Sequence, residues 1–580
     1  MVAVALGCVG LALLSACGQA ASGGGDTNVT QNEALTQVIN PSNASGGILK
    51  MDEADQPDST DPNNTYYAYT NTFERLYART LLTYNPVPGT KGLDLIPDLA
   101  TGLGQVSSDG LTWTYHLKQG IKFEDGETVT AQDVKYGIER SHNYTSILNN
   151  GPTYFNQFLT DPTYPGAYSD NTPGKQGLTG ISTPDDYTLV FHLQQPFADF
   201  NYLVTMLETN PVPAAKDTGT NYQNHPLATG PYMFKSYSPG KSLVLVPNPQ
   251  WKASTDPSRK QLNKEIDITF GVAADDVDSR LLDGSIDLDL QSDGLQPNGR
   301  AKALGDPNQA KYTDAVPAGR LWYIDLDSKV APLDNVHCRQ AVEYAVDKVA
   351  AQTAYGGPLA GGAIASTVIP PTVSGYTKFD DYEALTQPHG DDTKAKQQLA
   401  LCGQPNGFTV NIAARSDRPF EMNAATAVQQ SLSKVGIKTD IQSFPHSTYG
   451  STFAGVPAYD QQHDLGVIMY GWAADWPDGF GFLQQIVDSR AIVPTGNSNI
   501  EQESNPQVNQ LIDQAAATND ASQRNQIYGQ IDKLVMQDAT IVPLVYANAL
   551  LYRNKNLTNV YASQAYGMYD FSQIGVSSGS

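Results

Sequence analysis

The feature that most limits the possible folds is an uninterrupted apolar run, LGVIMY, at residues 465–470. A strand that is buried on both faces has such a run, because helices cover both sides of its sheet. Helical patterns follow this run, with one apolar face formed by Val508, Leu511, Ile512 and Ala515 and another by Ile527, Ile531, Leu534 and Val535. Mixed sheets with helices packed on them are therefore predicted, which is an α/β fold.

The first half of the chain has the alternation of half-buried strands. Trp113, Tyr115 and Leu117 alternate with polar residues, and residues 187–193 repeat the pattern. Thr130 precedes a helical pattern and is positioned to cap its first amides. At 580 residues the chain is too long for one compact core, and we find no internal repeat of fixed period.

The charge of the chain excludes one broad class of partner. The formal net charge is −24, whereas nucleic-acid binding requires clustered basic residues. Apolar residues make up 40% of the chain and charged residues 17%, which is not the composition of a disordered protein. We expect an acidic, folded protein that does not bind nucleic acid.

The N-terminus has the pattern of an exported lipoprotein. Residues 2–14 are almost entirely apolar, too short to span a bilayer but suited to a signal-peptide core. The sequence LSAC at residues 14–17 resembles a bacterial lipobox, with Cys17 as the lipidated residue. No Lys or Arg precedes Lys50, so we expect translation to start upstream. We predict a signal peptide at 1–17 and a flexible tether at 18–45. The lipid on Cys17 would anchor the protein to the outer face of the bacterial cytoplasmic membrane.

Two further cysteines, Cys338 and Cys402, lie deep in the chain. An exported protein folds in an oxidising compartment, so we expect a disulfide between them, with two separate buried thiols as the alternative. No pair of histidines accompanies them, so they do not have the pattern of a zinc site.

Five segments in order resemble the bacterial extracellular solute-binding proteins of family 5, the peptide- and nickel-binding components of ABC importers. They are LTWTYHLKQGIKFEDGETVTAQDVKYGIER at 111–140, HPLATGPYMFKSYSPGKSLVLVPNPQW at 225–251, LLDGSIDL at 281–288, CRQAVEYAVDK at 338–348 and YGWAADWPDGFGFL at 470–483. The resemblance extends from about residue 46 to residue 552.

This resemblance implies a two-lobed periplasmic-binding-protein-like fold (type II) with an extra small domain inserted in lobe I. Lobe I is expected at 46–85, 181–321 and 542–580, the inserted domain at 86–180 and lobe II at 322–541. Hinge strands are expected near 321–326 and 541–546. The implied protein is a monomer that captures a peptide between its lobes and delivers it to membrane permease subunits, while separate subunits hydrolyse ATP.

The resemblance also implies where the ligand binds. In peptide-binding members a Trp-x-x-Asp loop supplies the aspartate that pairs with the ligand amine, and Trp472 and Asp475 have that spacing. Tyr470 and Ala473 belong to the same loop. Arg415 and Arg418 are candidates for the ligand carboxylate, although surface arginines are the simpler interpretation. Tyr66, Tyr67 and Tyr69 are expected near the cleft or in an ordinary strand.

The sequence gives weaker support for other functions. The only Gly-x-Ser-x-Gly, at 575–579, is too near the C-terminus for the helix that must follow a nucleophile elbow. Asp475 and Asp478 could act as paired carboxylates of a secreted glycoside hydrolase, but solvated or capping roles are commoner. The eight histidines form no metal motif, so no metal, cofactor or catalytic residue is predicted, and a nickel complex is left open. An oligosaccharide ligand also stays open, because aromatic rings suit sugar faces.

Overall fold

A computed structural model describes residues 32–142, 147–171 and 177–577. The predicted signal peptide, Cys17 and residues 18–31 of the predicted tether lie outside the described residues. Within the described ranges, no helix combines the length and the apolar character needed to cross a bilayer.

The strands of the described ranges are short in the first half of the chain and longer in the second. In chain order they are β1 (Ile48–Asp52), β2 (Leu82–Tyr84), β3 (Leu95–Pro97), β4 (Gln105–Val106), β5 (Thr112–His116), β6 (Ile181–Asp185), β7 (Thr188–His192), β8 (Tyr232–Ser238), β9 (Ser242–Pro247), β10 (Glu265–Thr269), β11 (Leu288–Asp289), β12 (Thr313–Leu326), β13 (Gly362–Ile364), β14 (Asn411–Arg415), β15 (Ile441–Phe444), β16 (Leu465–Ala473), β17 (Ile541–Tyr552), β18 (Leu557–Thr558), β19 (Ala562–Ser563), β20 (Met568–Tyr569) and β21 (Gly575–Val576).

The α-helices of the same ranges concentrate after residue 270. They are α1 (Thr70–Phe73), α2 (Ala131–Ser141), α3 (Tyr154–Phe158), α4 (Phe200–Leu203), α5 (Ala274–Asp283), α6 (Pro297–Gly305), α7 (Pro307–Ala310), α8 (Val336–Ala345), α9 (Lys348–Tyr355), α10 (Gly357–Ala360), α11 (Asp392–Leu401), α12 (Pro419–Lys434), α13 (His446–Thr452), α14 (Pro457–Gln462), α15 (Gly479–Val487), α16 (Pro506–Ala517) and α17 (Ala521–Asp538).

Two large sheets form the centres of two lobes. The first has the order β11-β1-β10-β9-β8 and the second the order β13-β17-β12-β16-β14-β15. Both mix parallel and antiparallel pairs, and helices pack against the second. The predicted α/β fold is confirmed. The two sheets also agree with the two lobes that the family resemblance implies.

β12 and β17 connect the two lobes. They pair antiparallel with each other, and their register shifts between Pro317 and Leu321. Val316, before the shift, packs in the core of the first sheet, whereas Ile324, after it, packs in the core of the second. The pair therefore runs continuously from one lobe into the other.

A third, four-stranded sheet with the order β4-β5-β7-β6 packs between α2 and the second lobe. Its neighbours include α3 and the segment around Phe197, whose rings contact α15. The Phe158 and Phe197 rings stack at 4.2 Å, and the Phe197 and Phe480 ring centroids lie 4.9 Å apart. This aromatic contact joins the third sheet to the second lobe.

Several sequence patterns fold as predicted. The apolar run at 465–470 lies in β16, between β12 and β14, where Leu465 and Met469 are fully buried. Thr130 and Asp133 form a capping box at the start of α2. Cys338 on α8 and Cys402, directly after α11, form a disulfide, which confirms the expected bond.

Candidate functional site

A cavity of about 360 Å³ lies between the lobes, at the end of β16. β12 and β16 enter it side by side, with Arg320 opposite Ala473 and Trp322 opposite Gly471. All six candidate ligand residues line it, namely Arg415, Arg418, Tyr470, Trp472, Ala473 and Asp475. Tyr66, Tyr67 and Tyr69 also line it, from the side of the first lobe.

One pole of the cavity is the carboxyl group of Asp475. Its Oδ2 accepts hydrogen bonds from the hydroxyls of Tyr66, at 2.7 Å, and Tyr154, at 2.6 Å. Burial raises the pKa of Asp475 to about 7, although these two hydrogen bonds lower it. Among the described residues, no Lys or Arg forms an ion pair with this carboxyl. A desolvated carboxylate without a cation is well suited to bind one.

Aromatic rings surround this pole. The Tyr66 ring meets the Trp472 ring edge-on, with centroids 5.7 Å apart. The Trp472 indole N–H is buried and has no acceptor in the described part of the chain. Further back along β16, Tyr470 stacks on Tyr449 at 6.4 Å, where the Arg415 guanidinium lies against both rings. The walls near Asp475 are thus apolar surfaces with a few polar atoms, as in most small-molecule sites.

A second charged part of the cavity is a cluster of three guanidinium groups around the Trp322 indole. Those of Arg320, Arg415 and Arg418 lie 4.9, 5.6 and 5.8 Å from the ring centroid. Such cation–π contacts hold a guanidinium plane against the ring.

The three arginines pair with two carboxylates of the protein, Glu421 and Asp293. Arg415, at the end of β14, forms hydrogen bonds to both oxygens of Glu421. Burial opposes the charge on Arg415, but Glu421 outweighs that effect and raises the pKa of Arg415. Arg418 pairs with Asp293 at 3.0 Å. Neither side chain is on the surface, since 5% of Arg415 and 6% of Arg418 is exposed.

Gly471 allows the indole to lie flat on the sheet. A Cβ at position 471 would lie 2.1 Å from Cε3 of Trp322. Any other residue would displace the ring and the guanidinium groups that rest on it. The glycine in the sequence YGWAAD is therefore needed to leave space for the Trp322 ring next to the site.

His446 lies in the wall of the cavity and contacts residues of the first lobe. Its ring stacks on that of Tyr67, with centroids 4.1 Å apart, and its Nδ1 lies 2.8 Å from the Gln291 amide. Next to it, the Ser447 N–H donates to Asp55, at 2.8 Å. Burial and the neighbouring arginines lower the pKa of His446 well below its usual range, so the ring is neutral.

The glycosidase interpretation receives no geometric support from Asp478. This carboxyl caps α15 by accepting the Phe480 N–H at 2.9 Å. Within the described ranges, no three His, Cys, Asp or Glu side chains are grouped so that they could hold a metal ion.

Sequence reasoning did not identify Arg320, Trp322, Tyr154 or His446. The alternation of β12 places Arg320 and Trp322 on one face, but nothing in that pattern relates them to the 470–475 loop. Tyr154 and His446 come from distant segments that only tertiary packing brings to the cavity.

Comparison with known proteins gives consistent matches over most of the chain. The profile of the family described as bacterial extracellular solute-binding proteins, family 5 (Middle), matches residues 94–492. The probable D,D-dipeptide-binding periplasmic protein DdpA of Escherichia coli K12 is 29% identical over 525 residues, covering 88% of this chain and 90% of the relative.

Solved structures superpose over a similar extent. The clavulanic acid biosynthesis oligopeptide binding protein 2 is 36% identical with a TM-score of 0.86, covering 95% of this chain and 99% of that one. The ABC transporter-associated periplasmic binding protein DppA from Helicobacter pylori, in complex with the peptide STSA, is 20% identical with a TM-score of 0.77. It covers 92% of this chain and 99% of its own, and at this identity supports the fold alone.

Proposed function

Because the chain belongs to the bacterial extracellular solute-binding proteins of family 5, we propose that it captures short peptides in the cavity between its lobes, with the peptide amine at Asp475. Members of this family are substrate-binding components of ABC transporters. The protein works outside the cytoplasm, where it meets its ligand before the membrane permease does.

The observation that carries this proposal is the carboxyl of Asp475, which is enclosed and, among the described residues, accepts hydrogen bonds from two tyrosine hydroxyls and pairs with no cation. A peptide ammonium supplies the positive charge that this carboxyl lacks. Charge-assisted hydrogen bonds of this kind are roughly twice as strong as neutral ones. A neutral sugar can donate hydroxyl hydrogen bonds to this carboxylate but brings no positive charge to balance it, which makes peptides the better ligand class.

The other candidate residues take supporting roles in this proposal. Trp472 and Tyr470 form walls for the first ligand residue, and Ala473 leaves room beside them. Arg415 and Arg418 support the arginine cluster around Trp322 and do not bind the ligand carboxylate themselves, because Glu421 and Asp293 already occupy their guanidinium groups. Nickel complexes and oligosaccharides remain outcomes of the test below.

Closure of the two lobes over the ligand is the conformational step we propose. Lobe I would comprise 46–85, 181–321 and 542–580, the inserted domain 86–180 and lobe II 322–541, with bending in β12 and β17. The protein would act as a monomer, dock its closed form on permease subunits and carry out no chemistry itself, while ATPase subunits supply the energy. Contacts across the cleft, such as the stacking of Tyr67 on His446, would stabilise the closed form.

Lipid anchoring at Cys17 completes the proposal. A lipidated cysteine followed by a flexible tether at 18–45 would keep the folded lobes beside the permease. We expect cells fed a labelled fatty acid to incorporate it into the wild-type protein and not into a Cys17→Ala variant. Equal labelling of the two proteins would contradict the assignment.

The ligand is tested by native mass spectrometry of the purified protein, alone and with di-, tri- and tetrapeptide mixtures. We expect peptide adducts, and at least about tenfold weaker binding after Asp475→Asn, which corresponds to 1.4 kcal/mol. Asparagine still accepts hydrogen bonds from Tyr66 and Tyr154, so this change removes mainly charge.

Asp440→Asn is the matched control, because Asp440 lies exposed on the second lobe. Unchanged peptide affinity in Asp475→Asn would remove Asp475 from the site. Adducts spaced by hexose masses, with no peptide adducts, would replace the peptide by an oligosaccharide.

A further inference from the structure

Arg320 presents its guanidinium group to the cavity. The side chain is 15% exposed, against 5% for Arg415 and 6% for Arg418. Within the described ranges it donates one hydrogen bond, from Nη1 to Asp293 at 3.2 Å. A guanidinium group carries five N–H donors, so most of those of Arg320 have no acceptor in the described part of the chain, and the side chain lines the cavity.

The local charge around Arg320 is positive. The charged groups that act most strongly on it are one carboxylate, Asp293, and two guanidiniums, Arg415 and Arg418. Asp293 is shared with Arg418, while Glu421 is occupied by Arg415. Among the ion pairs of the described residues, the three guanidiniums therefore share two carboxylates. Burial and the two neighbouring arginines lower the pKa of Arg320, which is the cost of an unbalanced cation in a desolvated place.

Trp322 fixes the direction of this cation. The guanidinium lies 4.9 Å from the indole centroid, and the indole lies flat on β16 because residue 471 is glycine. The donors of Arg320 are thus held in the cavity before any ligand arrives. Preorganised donors lose less entropy on binding than those on a free side chain.

The position of Arg320 on the sheet relates it to Asp475. Arg320 pairs with Ala473 in the antiparallel register of β12 and β16, where paired Cα atoms lie about 5 Å apart. Asp475 follows Ala473 by two residues, which adds at most about 7 Å. A peptide of a few residues is long enough to contact both side chains.

We propose that Arg320 is a specificity-determining residue that binds a carboxylate of the ligand, so that the protein selects short peptides with an acidic group close to their N-terminal amine. This inference rests on the proposed function. The carboxylate can be the C-terminus of a very short peptide or the side chain of a ligand Asp or Glu. Planar guanidinium and carboxylate groups match in two parallel hydrogen bonds.

The test uses the purified protein and tripeptides of randomised sequence in two forms, free acids and C-terminal amides, with affinities from isothermal titration. A second pair of amidated peptide sets, one with Glu and one with Gln at the second position, separates the side chain from the C-terminus. We expect the wild-type protein to prefer the acidic member of one pair by about tenfold or more. In Arg320→Gln this preference should fall to about twofold, while N-acetylation of the peptide still abolishes binding.

Two further variants serve as controls for Arg320→Gln. Arg490→Gln removes an exposed arginine that does not line the cavity and should keep the full preference. Arg320→Lys keeps the positive charge but not the planar guanidinium group, so it should retain part of the preference for acidic peptides. This variant gives a result even if Arg320→Gln folds poorly. Full preference for acidic peptides in Arg320→Gln overturns the inference and leaves the proposed function intact. Failure of the wild-type protein to bind any of these peptides overturns both.

Discussion

At the scale of single residues, Asp475 changes its charge in the physiological pH range. Its pKa is raised to about 7 by burial, and the Tyr154 and Tyr66 hydroxyls limit that rise. The ligand ammonium pairs only with the ionised form. Binding at pH 6 must therefore release a proton that the empty site holds.

We accordingly predict that affinity for peptides falls as pH drops below 7, by up to tenfold per pH unit. Above pH 8 it should fall again, because peptide amines with pKa values near 7.7–8.0 lose their charge. Titration calorimetry from pH 5 to 9, in buffers of different ionisation enthalpy, measures both the affinity and the protons released.

Asp475→Asn provides the control for this pH dependence. Its weaker binding should be flat between pH 5 and 7, with the alkaline decline retained. If the affinity of this variant still falls as the pH drops below 7, a group other than Asp475 is responsible for the pH dependence.

At the scale of secondary structure, the disulfide between α8 and the end of α11 closes a loop of 64 residues. Such a crosslink restricts the unfolded chain and stabilises the fold by about 4 kcal/mol on the chain-entropy model. We predict that Cys402→Ala lowers the free energy of unfolding by about this amount, measured by guanidinium denaturation.

The wild-type protein under reducing conditions should lose the same stability, which separates the bond from the packing of the substituted side chain. Peptide affinity should not change, since neither cysteine lines the cavity. An unfolding free energy equal to that of the oxidised wild-type protein would show that the bond contributes nothing.

Local sequence patterns predicted single elements well and their assembly poorly. The alternation around Trp113 and the apolar run ending at Tyr470 each report how many faces of a strand are buried, and that depends on neighbours in sequence. Tyr154 and His446 are different, because their burial arises where segments hundreds of residues apart meet. Of the two tyrosine partners of Asp475, Tyr66 was expected near the cleft from the family resemblance, whereas Tyr154 could not be predicted from any local pattern.

At the scale of the whole molecule, the two-lobed architecture followed from the order of five family segments, and the comparisons support it over most of the chain. Periodicity alone predicts only mixed sheets covered by helices. The order β13-β17-β12-β16-β14-β15 depends on pairings such as β12 with β17, whose partners are separated by more than 200 residues. No local pattern contains that information.

The continuous pairing of β12 with β16 restricts how this protein can evolve. From Arg320 to Leu326 every residue has a partner on β16, and Ile324 and Leu326 are fixed in the core of the second lobe. Since side chains alternate across a strand, one inserted or deleted residue in this stretch would turn Arg320 and Trp322 to the opposite face. Surface loops can change length between related proteins, but this stretch can diversify only by substitution. New ligand preferences are therefore expected to arise by exchange of side chains at fixed positions such as 320.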